Sequence, residues 1–144
     1  MASQQTPPGA TGSNAGLTLD EMKQFVRDHF EEFVNRKNPN AADVNFAPEF
    51  VDHGTDTPPG LPRDRHGMKQ YVGGVRERIP DLHVTILDLI AEGDKVVAHN
   101  RWTGTDTTQN RKVTFGGIVI WRIAHRQLVE RWAYLEPPQP VEDA

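Results

Sequence analysis

Four apolar-rich segments separated by very short turns fill the second half of the chain, between residues 81 and 136. They run from Leu82 to Ile90, from Lys95 to Thr105, from Val113 to Ile123 and from Leu128 to Leu135. A parallel return needs a long crossover, so strands joined by so few residues must pair antiparallel. The sequence therefore predicts a four-strand meander whose apolar face has to be covered by helices.

Two helical patterns precede the predicted meander. Residues 18–21 match a capping box, and the apolar stripe that follows predicts a helix as far as about Lys37. A second helix is expected over residues 64–78. Gly73 and Gly74 lie inside it, which indicates either a close backbone contact or a weak point in the helix.

Residues 41–62 connect these two helices. We expect one helical turn at 41–45, a short extended segment at 46–53 and a proline-rich loop at 55–62. The order of elements predicts an α+β fold with its helices on one face of the sheet. Because long strands twist and curl, the sheet and helices should form a cone that holds either packed side chains or one small ligand.

Composition limits the classes of function. The 144 residues are expected to form one domain over 17–136, between a disordered polar tail at 1–16 and a C-terminal tail at 137–144 that ends regular structure. The net charge of −4 provides no basic surface, so a nucleic-acid partner is not expected. No apolar run is long enough to span a bilayer, which predicts a soluble, cytoplasmic protein without a membrane partner.

The chain also lacks the usual signs of metal and cofactor sites. It contains no cysteine, and its six histidines have no paired ligand spacing. No glycine-rich phosphate loop is present, so neither a metal nor a cofactor is predicted. His29 borders the apolar stripe of the first helix, where a core or boundary role is favoured over catalysis.

Short motifs with a shared character are spread over residues 18–136. They are Phe50-Val51-Asp52-His53, Arg78 to Leu82, Leu89 to Val97, Gly104-Thr105, Val113 to Ile118, Trp121-Arg122-Ile123 and Val129 to Trp132. These motifs resemble SnoaL-like polyketide (ester) cyclases, which belong to the NTF2-like superfamily. The resemblance implies a cone-shaped α+β fold with a deep hydrophobic pocket, commonly a homodimer through the sheet. That superfamily contains cyclases, isomerases, dehydratases and hydrolases as well as proteins without catalysis, so the fold alone leaves the activity open.

The chain departs from the resembled enzymes at the positions that carry their chemistry. The acid/base aspartate of the cyclases falls on Ala133, and their assisting histidine falls on Val119. The Arg-x-Asp pair of limonene-epoxide hydrolases falls on Asn100 and Trp102. Two hypotheses therefore stay open. One is a cofactor-free acid/base enzyme acting on a ring-bearing or terpenoid-sized compound, and the other is a non-catalytic ligand-binding or dimerisation module.

His53 is the first candidate for acid/base chemistry. Imidazole titrates near neutral pH, and the resemblance puts the isomerases' general base near this point. Asp52 is a second candidate, although neighbouring strand residues point to opposite faces, so it should not orient His53 directly. The alternative is that His53 only hydrogen-bonds a loop carbonyl at the rim of the pocket.

The last strand allows two orientations. The resemblance turns Arg131 and Ala133 inward, where a buried Arg131 would need an anionic partner in the protein or on a substrate. The alternation of residues alone would instead turn Trp132 and Tyr134 inward. We favour Arg131 inward, with Arg131 or Tyr134 polarising a substrate oxygen.

The residues that the helix and strand patterns turn inward are expected to line the pocket. Asn100 could donate to a carbonyl oxygen or hold a water molecule, and Trp102 could form a flat wall for a ring. For Val119, plain core packing is the favoured alternative. The expected partner is a small hydrophobic molecule, and the expected substrate-binding residues are Met68, Tyr71, Asn100, Trp102, Val119, Trp121 and Ala133.

Overall fold

The structure is a computed structural model that describes residues 15–141. The tail predicted to be disordered, residues 1–16, therefore lies outside the described residues except for its last two. Ala15 is buried, and its carbonyl accepts a hydrogen bond of 2.9 Å from the amide of Arg126. This contact ties the beginning of the described chain to the turn before the last long strand.

In the described part of the chain, three α-helices form the cover: α1 (Leu19–Phe30), α2 (Asn40–Asn45) and α3 (Arg65–Arg78). The predicted capping box is confirmed, because Thr18 and Glu21 exchange hydrogen bonds between side chain and backbone. The first helix continues beyond α1 as a π-helical turn over Glu31–Asn35, which the sequence did not predict.

Within residues 15–141, six strands form one curved, open sheet. They are β1 (Phe46–Asp52), β2 (His83–Glu92), β3 (Lys95–Asp106), β4 (Arg111–Ala124), β5 (Gln127–Leu135) and β6 (Gln139–Pro140). The spatial order is β1-β5-β4-β3-β2, so the predicted antiparallel meander is confirmed. β1 pairs parallel with β5 and extends the sheet at the far edge.

The C-terminal tail corrects one expectation. Regular structure does not end after Leu135, because β6 pairs antiparallel with β4 at Val113 and Thr114. The pairing of β4 with β5 begins only at Gly117, which leaves the first residues of β4 without a neighbour on that side. The tail fills this position and satisfies backbone groups that would otherwise lie at an open edge.

The helices cover one face of the sheet, and a continuous apolar core lies between them, as the predicted α+β cone requires. The two glycines inside α3 need no close contact, since a Cβ atom added at Gly73 or Gly74 would meet nothing within 4 Å. The glycine pair is therefore explained by a weak point in the helix and not by a close backbone contact. Within residues 15–141, no helix is long and apolar enough to cross a membrane.

Candidate functional site

The covered face of the sheet encloses a cavity of about 70 Å³ between the strands, α1 with its π-helical turn, and α3. We call it the inner cavity. Most of its wall is apolar, with side chains such as Phe33, Met68 and Trp102. Its polar side chains include His29, Asp56, Tyr71 and Arg131.

A larger groove of about 720 Å³ adjoins the inner cavity, and we call it the outer groove. Its outer rim consists of prolines from the loop after β1 and from the C-terminal segment 136–138. The cavity and the groove share five wall residues, which are Asp56, Tyr71, Val75, Phe115 and Leu135. The inner cavity and the outer groove are therefore neighbours, and Asp56 and Tyr71 lie where the two meet.

A buried cluster of three charged side chains forms one wall of the inner cavity. Arg131 is 4% exposed, and its Nη1 donates to Asp52 Oδ1 at 2.9 Å while its Nη2 donates to Asp56 Oδ2 at 2.7 Å. The parallel pairing of β1 with β5 sets Asp52 opposite Arg131. Arg131 thus points inward, as favoured from the sequence, and both of its anionic partners belong to the protein. An anionic ligand is not needed to balance its charge.

The cluster holds Asp56 in its ionised form. Burial alone would raise the pKa of Asp56, but the charge of Arg131 and the hydrogen bonds from Arg131 and Tyr71 outweigh burial and lower it. Burial and the charge of Asp56 raise the pKa of Tyr71, so its hydroxyl stays protonated and donates to Asp56 Oδ2 at 2.7 Å. Burial would lower the pKa of Arg131, but Asp56 and Asp52 together raise it.

Four buried polar side-chain atoms have no hydrogen-bond partner among residues 15–141. They are Asp56 Oδ1, both amide atoms of Asn100, and Trp121 Nε1. Buried polar groups nearly always have partners, and leaving one unpaired costs about 1–3 kcal/mol. Asp56 and Trp121 line the inner cavity, and Asn100 lies on the same face of β3 as Trp102. The atoms of Asp56 and Trp121 therefore indicate where a ligand or ordered water in the inner cavity would find hydrogen bonds.

His29 lies in the core and lines the inner cavity. It is 1% exposed, and the rings of Phe33, Phe46 and Trp121 lie with centroids 5.1–5.4 Å from its own. Its Nδ1 lies 3.0 Å from Asn45 Nδ2. Burial, followed by the positive charge of Arg131, lowers its pKa to about 3, so the ring is neutral at ordinary pH.

The structure brings most of the predicted pocket residues together. Met68, Tyr71, Trp102, Val119 and Trp121 all line the inner cavity. The remaining two, Asn100 and Ala133, are fully buried on the same face of the sheet but are not among the residues that line the cavity.

Two of the predicted catalytic side chains lie away from the cavity. The ring of His53 stacks on Trp132 at 5.1 Å, and its Nε2 lies 2.8 Å from Glu130 Oε2 on the outer face of the sheet. Tyr134 is 57% exposed on that same face. The physical reason is strand alternation, which turns Asp52 inward and therefore His53 outward. The alternative orientation of β5, with Trp132 and Tyr134 inward, is therefore wrong. Asp52, the predicted catalytic residue at the end of β1, is an ion-pair partner of Arg131.

Asp56 is the residue that sequence reasoning missed. It lies in the proline-rich loop, where acidic residues usually serve as turn formers. The tight turn at Gly54 brings it to Arg131, and a Cβ atom at Gly54 would lie 2.3 Å from Arg131 Nη1. The sequence did offer one indication of its role. A buried Arg131 needs more than one hydrogen-bond acceptor, and Asp52 and Asp56 lie on either side of Gly54.

The acidic residues of the site are engaged with arginine and do not form a metal-binding set. Within residues 15–141, no group of three or more His, Asp or Glu side chains is arranged to hold a metal ion. Asp52 also accepts hydrogen bonds from the amide of Gly54 at 2.8 Å and from Thr57 Oγ1 at 2.5 Å. Its two carboxylate oxygens are thus fully used within the protein.

Comparison with known proteins identifies relatives at the level of family and fold. The family model described as SnoaL-like polyketide cyclase matches residues 24–137. Among curated proteins, none matches this sequence.

Solved structures share the fold. A proposed polyketide cyclase from Bacillus cereus ATCC 10987 is 25% identical, with a TM-score of 0.72 over 94% of this chain and 90% of that one. IdmH from Streptomyces antibioticus, also a proposed polyketide cyclase, is 24% identical with a TM-score of 0.70 over 78% and 90%. AclR from Streptomyces galilaeus, a proposed hydroxylase, is 18% identical with a TM-score of 0.71 over 83% and 91%.

Proposed function

The chain belongs to the SnoaL-like polyketide cyclase family, and from that premise we propose that it is a cofactor-free acid/base enzyme acting on a hydrophobic, ring-bearing or terpenoid-sized carbonyl compound. Asp56 is the base in this proposal. The observation that carries it is the buried Asp56 Oδ1, which has no hydrogen-bond partner among residues 15–141, in a residue that lines the inner cavity. A carboxylate oxygen in that position can accept a proton from a bound molecule.

The reaction begins with proton transfer from a carbon next to the substrate carbonyl. The proton passes to Asp56 Oδ1, and the electron pair of the broken C–H bond moves into the carbonyl group to form an enolate. Returning the proton at another carbon gives an isomer, and attack of the enolate carbon on a second carbonyl of the same molecule closes a ring. In the ring closure, the alkoxide formed at the attacked carbonyl takes the proton from Asp56. Both outcomes therefore regenerate the carboxylate, so no cofactor is required.

Tyr71 and Arg131 orient the base. Both donate to Asp56 Oδ2 at 2.7 Å, which leaves Oδ1 as the reacting oxygen. Because these donors lower the pKa of Asp56, the carboxylate is ionised at neutral pH but is a weak base. The proposal therefore requires a substrate with an unusually acidic C–H bond, such as one between a carbonyl group and an aryl ring or between two carbonyl groups.

The shape of the site favours a substrate with a small polar head and a larger apolar body. An apolar cavity of about 150 Å³ takes up benzene, whereas the inner cavity measures about 70 Å³. The outer groove, at about 720 Å³, has room for one or more rings. Trp102 and Phe115, stacked at 5.2 Å, would form a flat wall between the two.

Deuterium exchange tests the proposed proton transfer without knowledge of the natural substrate. We would incubate the protein with 2-tetralone in D₂O and follow loss of the protons beside the carbonyl by NMR, against a buffer blank. Exchange should be faster than in buffer, and Asp56→Asn should reduce the catalysed part by about 10²–10⁴-fold. His53→Ala, on the outer face, is the matched control and should leave the exchange rate unchanged.

The second candidate is a non-catalytic ligand-binding module. It is favoured by Ala133 and Val119, which occupy the positions where established cyclases resembling this chain carry their acid/base residues. A ring ketone that raises the melting temperature but undergoes no exchange above the blank supports this candidate and contradicts the enzyme.

The outer face of the sheet supports a homodimer as the assembly. Val97, Ile118, Ile120, Trp132 and Tyr134 form an apolar outer patch, in which Ile120 pairs with both Val97 and Trp132 and Ile118 pairs with Tyr134. Contiguous apolar surface of this kind is typical of interaction sites. A second copy of the chain, bringing the same patch, would cover it symmetrically.

A further inference from the structure

We propose that His29 is a neutral hydrogen-bond donor which, together with the indole of Trp121, binds the carbonyl oxygen of the substrate. The inference deepens the proposed function and rests on it for the reacting carbon. It is carried by three observations: the burial of His29 in the cavity wall, the hydrogen bond that occupies one of its ring nitrogens, and the unpartnered Trp121 Nε1 beside it.

The hydrogen bond from Asn45 determines which ring nitrogen of His29 carries the proton. An amide nitrogen only donates, so Nδ1 of His29 accepts from Asn45 Nδ2 at 3.0 Å. In a neutral ring, the proton must then be on Nε2. In the proposed arrangement, that nitrogen faces the inner cavity, which His29 lines.

Trp121 provides a second donor next to His29. The two ring centroids lie 5.4 Å apart with an angle of 82° between the planes. Trp121 is 2% exposed, lines the inner cavity and has no partner for its Nε1 among residues 15–141. An indole N–H can only donate, so the acceptor it lacks must be an oxygen or similar atom of a ligand or water.

The positions of these donors relative to Asp56 indicate which chemical group they bind. Asp56 lies where the inner cavity meets the outer groove, whereas His29 and Trp121 belong only to the inner cavity. A substrate entering from the groove would bring its carbonyl oxygen to the two N–H groups and its adjacent C–H to Asp56. Donors placed at a developing enolate oxygen stabilise the transition state more than the ground state.

A neutral donor suits this environment better than an imidazolium would. Arg131 already carries a positive charge nearby, and His29 is surrounded by apolar rings that disfavour a second cation. A neutral imidazole can also polarise a carbonyl without giving up its proton. The substrate class is therefore a ketone or ester whose carbonyl is the small polar head, and not a carboxylate, which would meet Asp56 at close range.

The first test measures the tautomer of His29 in the free protein. Nitrogen-15 NMR of the histidine-labelled chain, assigned with His29→Gln, should show a neutral ring with the proton on Nε2 from pH 5 to pH 8. A ring protonated on Nδ1, or one that gains a charge within this range, overturns the proposal.

The second test measures the hydrogen bonds to a carbonyl probe. The infrared C=O band of carbonyl-¹³C acetophenone should move to lower frequency in the wild-type protein than in hexane. It should return most of the way in His29→Leu, and His29→Gln, which keeps an N–H donor, should retain the shift. Failure of acetophenone to bind up to its solubility limit, or an unchanged band in His29→Leu, contradicts the proposal.

Exchange kinetics separate failure of this inference from failure of the proposed function. His29→Leu should slow the Asp56-dependent exchange of 2-tetralone by about 10²–10³-fold, and His29→Gln should restore it to within about tenfold. If exchange depends on Asp56 but His29→Leu leaves it unchanged, only the role of His29 is refuted. If the band shift depends on His29 but the wild type gives no exchange, only the proposed base is refuted.

Discussion

Asp56 and Arg131 meet inside a mostly apolar wall, with Arg131 Nη2 at 2.7 Å from Asp56 Oδ2 and both side chains at least nine-tenths buried. Replacing Arg131 by methionine would leave Asp52 and Asp56 buried without their cation. Removing one partner of a buried ion pair costs about 3–5 kcal/mol. We therefore expect Arg131→Met to lower the free energy of unfolding by about that amount, measured by urea denaturation at pH 7.

Lys69→Met is the control for this first prediction. Lys69 Nζ lies 3.1 Å from Asp43 Oδ1, but the two side chains are 33% and 51% exposed. Exposed pairs contribute about 0–1 kcal/mol, so this variant should unfold close to the wild type. A similar loss of unfolding free energy in both variants would contradict the claim that the Arg131 ion pairs stabilise the fold because they are buried.

The second prediction concerns acid stability. Burial would raise the pKa of Asp56, but Arg131 and Tyr71 lower it below the ordinary value of 3.8. A carboxyl with a lowered pKa stabilises the fold at pH values above its unfolded pKa and loses that effect as pH falls through its folded pKa. The advantage of the wild type over Asp56→Asn in free energy of unfolding should thus be full at pH 7 and shrink below about pH 4.

Urea denaturation at pH 7, 4 and 3 checks this dependence. Asp43→Asn, at a half-exposed carboxylate, controls for the general effect of acid on the fold. An advantage over Asp56→Asn that stays constant or grows toward pH 3 would show that Asp56 has no lowered pKa in the folded protein.

The architecture was predictable because its signals are local. The short turns at residues 91–94, 107–110 and 124–127 permit only antiparallel neighbours, and all three hairpins form. Likewise, the capping box needs only residues 18–21, and it forms. The π-helical turn at Glu31–Asn35 was not predictable, because no glycine or proline interrupts the pattern there.

The site was only partly predictable because both faces of the sheet are apolar. Trp132 and Tyr134 alternate with Arg131 and Ala133, so a period of two does not say which set is buried. The parallel pairing of β1 with β5 decides it, since it brings Asp52 to Arg131 from a distant part of the chain. Long-range pairing of this kind has no signal in the local sequence. The contact between Asp56 and Arg131 likewise joins distant parts of the chain and has no local signal.

The third prediction uses the glycines of α3. A Cβ atom at Gly73 would meet nothing within 4 Å, whereas one at Gly67 would lie 1.8 Å from the carbonyl oxygen of Pro62. Alanine is favoured over glycine inside a helix by about 0.5–1 kcal/mol. Gly73→Ala should therefore raise the free energy of unfolding by about that amount, and Gly67→Ala should lower it, both by urea denaturation. Equal effects of the two substitutions would contradict the packing described for α3.

The fourth prediction follows from the apolar outer patch. If two copies pair through it, Ile120→Lys would bury two ammonium groups at the dimer interface without partners. Sedimentation should then change from twice the chain mass in the wild type to the chain mass of 16.2 kDa in the variant. Val44→Lys is the matched control, because Val44 is 70% exposed on α2 and outside the patch. A wild-type monomer at micromolar concentration, or a dimer that survives Ile120→Lys, would exclude this interface.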